Sequence, residues 1–475
     1  MKLYNTLSRT REEFIPLKAG EVSYYSCGPT VYNYAHIGNL RTYVFADILK
    51  RALIYFGYHV KHVMNITDVG HLTSDADTGE DKMLAGARRE HKTVWEIAEF
   101  YTTAFKEDIK DLGIIEPSIW CKATDHIAQQ IQLIGKLMEN ECAYQSGGNV
   151  YFDTSKFSTY GQFARLDLTA IQESRVGQDP NKKNQHDFVL WFTKSKFSDQ
   201  DMKWSSPWGI GYPGWHIECS AMSTYYLGQP FDIHSGGIDH IAVHHTNEIA
   251  QSEAGEGKRM VNYWLHGEFL VIDKSKMAKS EGNFITLRTI KERGYDPLSY
   301  RYFCLQAHYR QQLNFTWEAL TAAQVGLKGL RTLVLFLKDH SEKATPTPLS
   351  ADFRKHLGDN KKLFDECIAD DLNIPKALGV LHSFLNQTRS GEKFLSQEDF
   401  KEVLDFVYRC DTVLGLRLDE IIQHTVPEHV GELVTIREAF RNAEKWHEAD
   451  EIRKKIEDAG YQIEDTAQGV RVIPL

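Results

Sequence analysis

The sequence predicts an α/β fold built on a parallel sheet, followed by an α-helical bundle and a small C-terminal domain. Three observations support this prediction. Near the N-terminus, a strand, a loop, a helix and a second strand follow one another, as in the βαβ unit of parallel sheets. A second strand–helix–strand pattern lies between residues 231 and 272. Beyond Tyr309 the strand signals give way to helical periodicity, which is typical of a bundle.

The first βαβ unit is predicted from the periodicity of its apolar residues. Residues 21–27 (EVSYYSC) have the pattern of a strand, and residues 40–56 carry apolar side chains at helical spacing before Gly57. Residues 59–67 (HVKHVMNIT) are rich in β-branched side chains and predict the second strand. The loop before the helix therefore lies at the carboxyl end of a parallel strand, where open α/β sheets bind ligands.

The second half of the sheet is predicted after a long insertion. Helical periodicity covers residues 94–136, and we interpret about 111–210 as the insertion because residues 144–205 are mixed and polar. Strand-like segments return at 231–234 and 263–272, with HHTNEIAQSEA between them as a helix. These elements would complete one α/β domain with a divided core.

The C-terminal part of the chain is predicted to be helical. The expected bundle helices cover residues 316–338, 350–369, 375–389 and 397–415. After Pro427, one amphipathic helix over about 432–459 is followed by Gly460 and a small hairpin. The domain limits that follow are 1–308, 309–424 and 425–475.

Composition and charge exclude several classes of protein. The 475 residues are 42% hydrophobic and 25% charged, as in ordinary soluble globular proteins. No apolar signal segment opens the chain and no run of about 18 uncharged apolar residues occurs, so we expect a cytoplasmic protein without a membrane span. A net charge of −10 argues against a polybasic nucleic-acid binder but leaves room for a local basic groove. The seven cysteines are scattered and odd in number, which favours reduced thiols or metal ligands over a disulfide scaffold.

Two short motifs, each after a predicted strand, carry the expected chemistry. Residues 36–39 (HIGN) resemble the His-Ile-Gly-His motif of class I aminoacyl-tRNA synthetases, and residues 276–280 (KMAKS) resemble their Lys-Met-Ser-Lys-Ser loop. Asn39 stands where the second histidine is usual, and Ala278 stands where the middle serine is usual. Neither departure removes a cation, so both motifs keep the charges that the reaction needs.

The resemblance implies formation of an aminoacyl-adenylate, in which a carboxylate attacks the α-phosphate of ATP. Such a reaction depends on positioning and on charge stabilisation, and it requires no general base. His36 and Asn39 could donate hydrogen bonds in the site, and Gly38 would let the backbone approach the nucleotide. Lys276 and Lys279 could neutralise charge on the pyrophosphate, with Lys279 as the main catalytic cation and an ATP-binding residue.

A second group of residues has the composition of a zinc site. Cys27, Cys219, His244 and Glu248 offer two thiolates, one imidazole and one carboxylate, which suit a tetrahedral zinc ion. His244 and Glu248 are four residues apart and share one face of the predicted helix. His245 could replace His244 as the ligand, although the spacing to Glu248 favours His244.

The sequence around these residues resembles that of the cysteinyl-tRNA synthetases, and the resemblance covers essentially the whole chain. The segments that carry this closer resemblance are YSCGPTVYNYAHIGN, GWHIECSAM, FDIHSGGIDH and HHTNEIAQSEA. It implies a Rossmann-like catalytic domain with a connective insertion, a tRNA-binding helical bundle and a C-terminal anticodon-binding domain. It also implies one zinc ion per subunit that takes the thiolate of the substrate cysteine as a ligand, Mg²⁺ with ATP, tRNA(Cys) as partner, and a monomer. Zinc favours a soft thiolate over a hydroxyl, so cysteine would be separated from serine.

The same resemblance extends to the binding pocket and the C-terminal tail. The residues expected to close over the amino acid are Thr67, Trp215 and His234. The residues expected at the adenosine are Gly236, Gly237 and Asp239. In the tail, residues that could contact unpaired anticodon bases are Arg437, Arg441, Lys445 and Trp446.

Three other functions compete with a tRNA ligase. A cysteine ligase of mycothiol synthesis resembles the same catalytic domain, but it lacks a tail as long as residues 309–475. A catalytically silent paralogue that binds RNA or cysteine would be expected to lose a lysine or a zinc ligand, and none is lost here. A zinc hydrolase would need the metal to activate water, which is less natural with four protein ligands on the metal and no obvious general base.

Overall fold

The computed structural model describes residues 1–69, 82–166, 179–194, 202–272, 275–276, 284–343, 351–392, 395–421, 427–466 and 469–474. Strands and helices in these residues are numbered in chain order. The strands are β1 (Lys2–Asn5), β2 (Thr10–Glu13), β3 (Glu21–Ser26), β4 (His59–Ile66), β5 (Ile119–Lys122), β6 (Ala143–Ser146), β7 (Asn149–Phe152), β8 (Phe188–Phe192), β9 (Tyr212–Pro213), β10 (Phe231–Gly237), β11 (Val261–Gly267), β12 (Leu270–Ile272), β13 (Ser275–Lys276), β14 (Leu313–Phe315), β15 (Tyr461–Thr466) and β16 (Gly469–Pro474). The α-helices are α1 (Ile37–Tyr55), α2 (Lys82–Glu90), α3 (Val94–Asp111), α4 (Ile127–Glu139), α5 (Trp215–Leu227), α6 (Thr246–Glu256), α7 (Leu287–Glu292), α8 (Pro297–Leu305), α9 (Trp317–Lys343), α10 (Ala351–Ala369), α11 (Ile374–Ser390), α12 (Gln397–Leu414), α13 (Glu428–Asn442) and α14 (Trp446–Asp458).

A five-stranded sheet forms the centre of the N-terminal half. Its strand order is β11-β10-β3-β4-β5, and every neighbouring pair is parallel. The chain proceeds from β3 towards β4 and β5 on one side, and β10 and β11 lie on the other side. The order therefore reverses between β3 and β10, and such a reversal leaves a crevice at the carboxyl ends of the strands.

Helix α1 follows the first βα loop and fits the periodicity of its sequence. His36 is the N-cap, and its Nδ1 accepts a hydrogen bond from the backbone N of Asn39 at 3.1 Å. Apolar side chains such as Leu40 and Leu53 are fully buried along one side of the helix. The predicted helix and both flanking strands are confirmed, with the helix beginning a few residues earlier than expected.

Two sequence-based predictions about secondary structure were wrong. Helical periodicity over residues 94–136 masked β5, a four-residue strand that pairs with β4 at the edge of the main sheet. The single tail helix over 432–459 is in fact two helices, α13 and α14, with Glu444 between them at a φ of 60°. The amphipathic pattern continues across that break, so periodicity alone did not reveal it.

The region between α4 and α5 forms its own antiparallel sheet. Strands β6, β7, β8 and β9 pair in that order, and β5 before them belongs to the parallel sheet. The inner side chains of this sheet, such as Phe152 and Trp191, pack with Leu137 of α4 and Ile217 of α5. The insertion is thereby attached to two helices of the α/β region.

Helices α9 to α12 correspond to the four predicted bundle helices, and α8, which the sequence prediction did not include, packs against α9. Contacts divide the chain into two compact units, Met1–Leu418 and Asp419–Leu475, so the bundle belongs to the same unit as the main sheet. Within the described residues, Trp317–Glu342 of α9 is long and apolar enough to cross a membrane by length and composition alone. This helix packs against α8 and α12, which accounts for its apolar side chains.

Asp108 on α3 gives the fold a pH-dependent stability. Burial and the neighbouring carboxylate of Asp111 raise the pKa of Asp108 from the usual 3.8 to about 7. Protonation of Asp108 therefore stabilises the folded chain fully below about pH 3.8, and this stabilisation is lost as the pH rises through about 7. We expect Asp108→Asn to raise the free energy of unfolding at pH 8 by an amount on the order of 2 kcal/mol, because it removes a partly buried charge.

Urea unfolding at pH 4 and pH 8 measures this effect. The gain from Asp108→Asn is expected to be largely lost at pH 4, because the aspartate of the folded chain is protonated there. Glu139→Gln, which changes an exposed carboxylate at the end of α4, controls for the change in net charge. An equal gain from Asp108→Asn at both pH values would contradict the prediction and would point to packing instead of charge.

Candidate functional site

A cavity of about 310 Å³ opens at the carboxyl ends of β3 and β10. Cys27 directly follows β3, and Gly237 is the last residue of β10; both line the cavity. The loop between β3 and α1 forms a large part of the wall. The cavity thus lies where the strand order reverses, which is the position that the βαβ pattern predicts for a ligand.

The four predicted metal ligands come from separate elements and meet beside this cavity. Cys27 follows β3, Cys219 lies on α5, His244 lies in a π-helical turn over Ile241–His245, and Glu248 lies in the first turn of α6. One ligand atom from each residue lies within 4.8 Å of the others, and all four residues are buried. Two sulfurs, one nitrogen and one oxygen at this spacing fit a tetrahedral zinc ion.

Two histidines hold the carboxylate of Glu248. His234 Nε2 donates to Glu248 Oε2 at 2.8 Å, and His244 Nε2 donates to Glu248 Oε1 at 2.9 Å. Burial alone would raise the pKa of Glu248, but the two imidazoles outweigh burial and lower that pKa to about 2. Burial likewise opposes protonation of His244, but Glu248 and Cys219 raise its pKa to about 10. The carboxylate is therefore held in its charged, metal-binding form.

The two thiols differ in their electrostatic surroundings. Burial, together with the neighbouring Cys219, raises the pKa of Cys27. A hydrogen bond with Cys27 lowers the pKa of Cys219 against the effect of burial, and His244 lowers it further. One thiolate thus forms more easily than the other, and a bound dication would favour the deprotonated form of both.

His245, the alternative ligand, belongs to a second and overlapping set. Its Nε2 lies 3.2 Å from Cys27 Sγ, and the ligand atoms of Cys27, His234, His245 and Glu248 also lie within 4.8 Å of one another. This set contains a single thiol, whereas the set with His244 contains two. Because zinc favours thiolates, the set with His244 is the better zinc site.

The three predicted amino-acid contacts occupy different positions. Thr67 lines the cavity, and its hydroxyl donates to Glu218 Oε2 at 2.9 Å. Trp215 also lines the cavity, and its ring centroid lies 4.3 Å from that of His244. His234 does not line the cavity. It is fully buried, stacks on Trp264 and bonds Glu248, so it contacts a predicted ligand instead of open space.

The predicted nucleotide contacts are also divided. His36, Asn39, Gly237 and Asp239 line the cavity, with Asn39 and Asp239 exposed at its edge. A Cβ at Gly236 would lie 2.6 Å from Nδ1 of His240, so this glycine is required by packing against a histidine. Gly38 and Gly236 do not line this cavity, and their approach to the nucleotide stays a prediction.

The two lysines of the second motif are only partly described. The backbone of Lys276 lies in β13 and pairs with Val271 of β12. Lys279 lies outside the described residues. The first motif is joined to this region, because Ile37 N donates to Ile285 O at 2.9 Å and His36 pairs with Thr286.

Sequence reasoning named only part of a group of histidines around the ligands and missed His216 and His266. His216 Nδ1 lies 2.9 Å from Nδ1 of His244, and His266 Nε2 lies 2.7 Å from Nδ1 of His245. Their density along the chain was a usable signal, since the histidines between residues 216 and 266 are His216, His234, His240, His244, His245 and His266. Hydrogen bonds of this kind fix the tautomer of a ligating histidine.

The C-terminal unit separates the predicted base-contacting residues into two groups. Arg437 is 2% exposed and donates to both oxygens of Asp465 at 2.8 and 2.9 Å, so it serves the fold of the unit and is a correction to the prediction. Trp446 is 59% exposed, and the guanidinium of Arg441 lies 5.9 Å from its ring centroid. Lys445 is the N-cap of α14.

Comparison with known proteins is consistent with this geometry. A family model described as the class I (C) catalytic domain of tRNA synthetases matches residues 13–325. The chain is 49% identical to a cysteine–tRNA ligase of Treponema denticola over 98% of both chains. It is 48% identical to cysteine–tRNA ligase 1 of Burkholderia lata over 99% of this chain and 96% of the other.

Solved structures resemble the chain in fold. A methionyl-tRNA synthetase of Mycobacterium tuberculosis bound by methionyl-adenylate has a TM-score of 0.60 at 13% identity, over 85% of this chain and 92% of the other. A leucyl-tRNA synthetase of Agrobacterium radiobacter in a ternary complex with tRNA has a TM-score of 0.62 at 11% identity, over 86% of both chains. At such low identity, these likenesses concern the arrangement of the elements alone.

Proposed function

Since the chain belongs to the cysteine–tRNA ligases, a family of class I aminoacyl-tRNA synthetases, we propose that it activates L-cysteine as cysteinyl-adenylate and transfers it to tRNA(Cys). The acceptor is a terminal ribose hydroxyl of the tRNA, and ATP enters with Mg²⁺. The proposed enzyme is a cytoplasmic monomer that holds one zinc ion. Its proposed limits are 1–308 for the catalytic domain, 309–424 for the tRNA-binding bundle and 425–475 for the anticodon-binding domain.

One observation carries the proposal: the predicted metal site and the first motif border the same cavity. Cys27, Cys219 and His244 line it, and so do His36 and Asn39. When bound there, zinc would supply a borderline-soft Lewis acid that takes the substrate thiolate as a ligand and distinguishes it from a hydroxyl. The amino acid would therefore be selected within reach of the groups that bind the nucleotide.

Residues beside the metal site would orient the amino acid. Thr67 is held by its hydrogen bond to Glu218, and Trp215 is held against the ring of His244, so both are positioned before substrate arrives. They provide one polar and one aromatic wall. His234 supports the site indirectly, since it bonds the carboxylate of Glu248 from the side away from the cavity.

His36 and Asn39 would orient the nucleotide. Nδ1 of His36 accepts a hydrogen bond from the backbone of Asn39, so the neutral ring carries its proton on Nε2 and can donate it to a phosphate oxygen. Asp239 at the cavity edge can accept from a ribose hydroxyl. Lys276 and Lys279 would neutralise the pyrophosphate as it leaves.

Cysteine-dependent exchange of pyrophosphate into ATP tests the activation step. Zinc-replete protein is expected to catalyse exchange with cysteine, and exchange with serine is expected to be at least about 10³-fold slower, because a hydroxyl is a poor ligand for zinc. Serine is the matched control, since it differs from cysteine by one atom. Equal exchange with both amino acids, or none with cysteine, would overturn the proposal.

The acceptor is tested separately by charging. Transfer of labelled cysteine to tRNA(Cys) supports the complete proposal, and an unrelated tRNA serves as the control. Exchange without charging of tRNA(Cys), but with ligation to an amino sugar, would identify the second cysteine ligase considered from the sequence.

A further inference from the structure

Arg41 lies at the junction of the two predicted catalytic motifs. It is the fifth residue of α1, the helix that begins with the first motif, and it is 5% exposed. Its guanidinium donates to four backbone carbonyls, at 2.9 Å to Glu268 O, at 3.4 Å to His308 O, and also to Phe269 O and Gln311 O. All four acceptors of these hydrogen bonds are backbone carbonyl oxygens, and none is a carboxylate.

These carbonyls belong to the loops that enter two paired strands. Glu268 and Phe269 precede β12, while His308 and Gln311 precede β14. The two loops are also bonded to each other, since Leu313 N donates to Phe269 O and Glu268 N donates to Tyr309 O. One side chain of α1 therefore fixes the starting point of both parallel strands.

Strand β12 leads directly into the second motif. Val271 of β12 pairs with Lys276, and the chain returns to α1 at Phe284, whose ring contacts that of His36 at 5.8 Å between centroids. Ile37 N bonds Ile285 O beyond that point. The stretches before and after the second motif are consequently both attached to the first turns of α1.

Building on the proposed function, we propose that Arg41 is a positioning residue for adenylate formation, which holds β12–β14 and Lys276 in register with His36. The chemistry of the side chain supports this role. A guanidinium presents five donors in one plane and can bond several carbonyls at once, whereas an ammonium presents three donors from a single atom. A small shift between two motifs that share one substrate lowers the rate steeply, because the reacting groups must be aligned.

Arg51 provides a matched control on the same helix. It also donates to backbone carbonyls, at 3.0 Å to Thr412 O and at 2.6 Å to Gly113 O, and it pairs with Asp47. None of these partners belongs to β12, β13 or β14. Arg51→Lys therefore removes a comparable anchor of α1 without disturbing the second motif.

The test compares Arg41→Lys with Arg51→Lys in cysteine-dependent pyrophosphate exchange, below the unfolding temperature of both variants. We expect Arg41→Lys to lower kcat by about 10- to 100-fold, with the KM for cysteine and the zinc content unchanged. Arg51→Lys is expected to stay within about twofold of the unsubstituted kcat. An Arg41→Lys variant that keeps its kcat would overturn the inference. Should that variant not fold, Arg41→Gln, which keeps two donors, takes its place under the same criteria.

A double-mutant cycle with Lys276→Ala separates positioning from general stability. If Arg41 acts through the strand that carries Lys276, Arg41→Lys is expected to lower kcat by less than about threefold in the Lys276→Ala background. A full, multiplicative loss in that background would overturn the inference. Absence of exchange in the unsubstituted enzyme would instead overturn the proposed function, and the inference with it.

Discussion

Cys219→Ser is expected to lose zinc and cysteine activation together. Cys219 lies within 4.8 Å of the ligand atoms of Cys27, His244 and Glu248, and its pKa is the lowered one of the two thiols. A serine hydroxyl neither deprotonates readily nor suits zinc as a ligand. We expect a metal content near zero after dialysis, and exchange reduced by more than about 100-fold, which exceeds the cost of losing a group that only orients a ligand.

Cys410→Ser is the matched control for this substitution. Cys410 is fully buried on α12 and has no place in either set of possible ligands. The same change of sulfur to oxygen in a buried site is expected to cost about 1–3 kcal/mol of stability and to leave the zinc content unchanged. A Cys219→Ser protein that holds a full complement of zinc and activates cysteine normally would refute the metal assignment.

Gly28→Ala is expected to have the second-largest effect. An added Cβ would lie 1.7 Å from the carbonyl oxygen of Asn65, so β3 and β4 would have to separate beside the cavity. The change would also disturb the hydrogen bond from Gly28 N to Asn65 Oδ1, which is 2.7 Å long. We expect the free energy of unfolding to fall by about 3 kcal/mol. Because Cys27 is the adjacent residue, we also expect exchange to fall about 100-fold.

Urea unfolding and zinc-replete exchange measure both effects of Gly28→Ala. Gly379→Ala is the control, because Gly379 lies within α11 and an added Cβ there would meet nothing within 4 Å. This control is expected to be neutral or to stabilise the chain by up to about 1 kcal/mol, as alanine favours a helix interior. Normal stability and exchange in Gly28→Ala would show that the strands tolerate the separation.

Local patterns in the sequence determined the main elements of the fold. Strand β3, helix α1 and strand β4 follow from the alternation and helical spacing of their apolar residues, and the likeness of relatives over the whole chain agrees with the predicted family. The composition of the four predicted ligands was also visible, because thiols, imidazole and carboxylate are recognisable as residue types wherever they occur. The sequence was sufficient for these conclusions because each one depends on residue identity or on the pattern of residues close in sequence.

Tertiary structure decided which residues meet and what each of them contacts. His234 and Gly236 lie in a segment that resembles the family. The fold places His234 against Glu248 and Gly236 against His240. No sequence motif marks Arg41. Its proposed role follows from hydrogen bonds to backbone carbonyls that lie 227 to 270 positions away in the chain. Strand β5 is defined by its pairing with β4. The helical periodicity of the surrounding sequence concealed this strand. The physical reason is the same in each case: packing and hydrogen bonding join residues distant in sequence, and no local pattern records those partners.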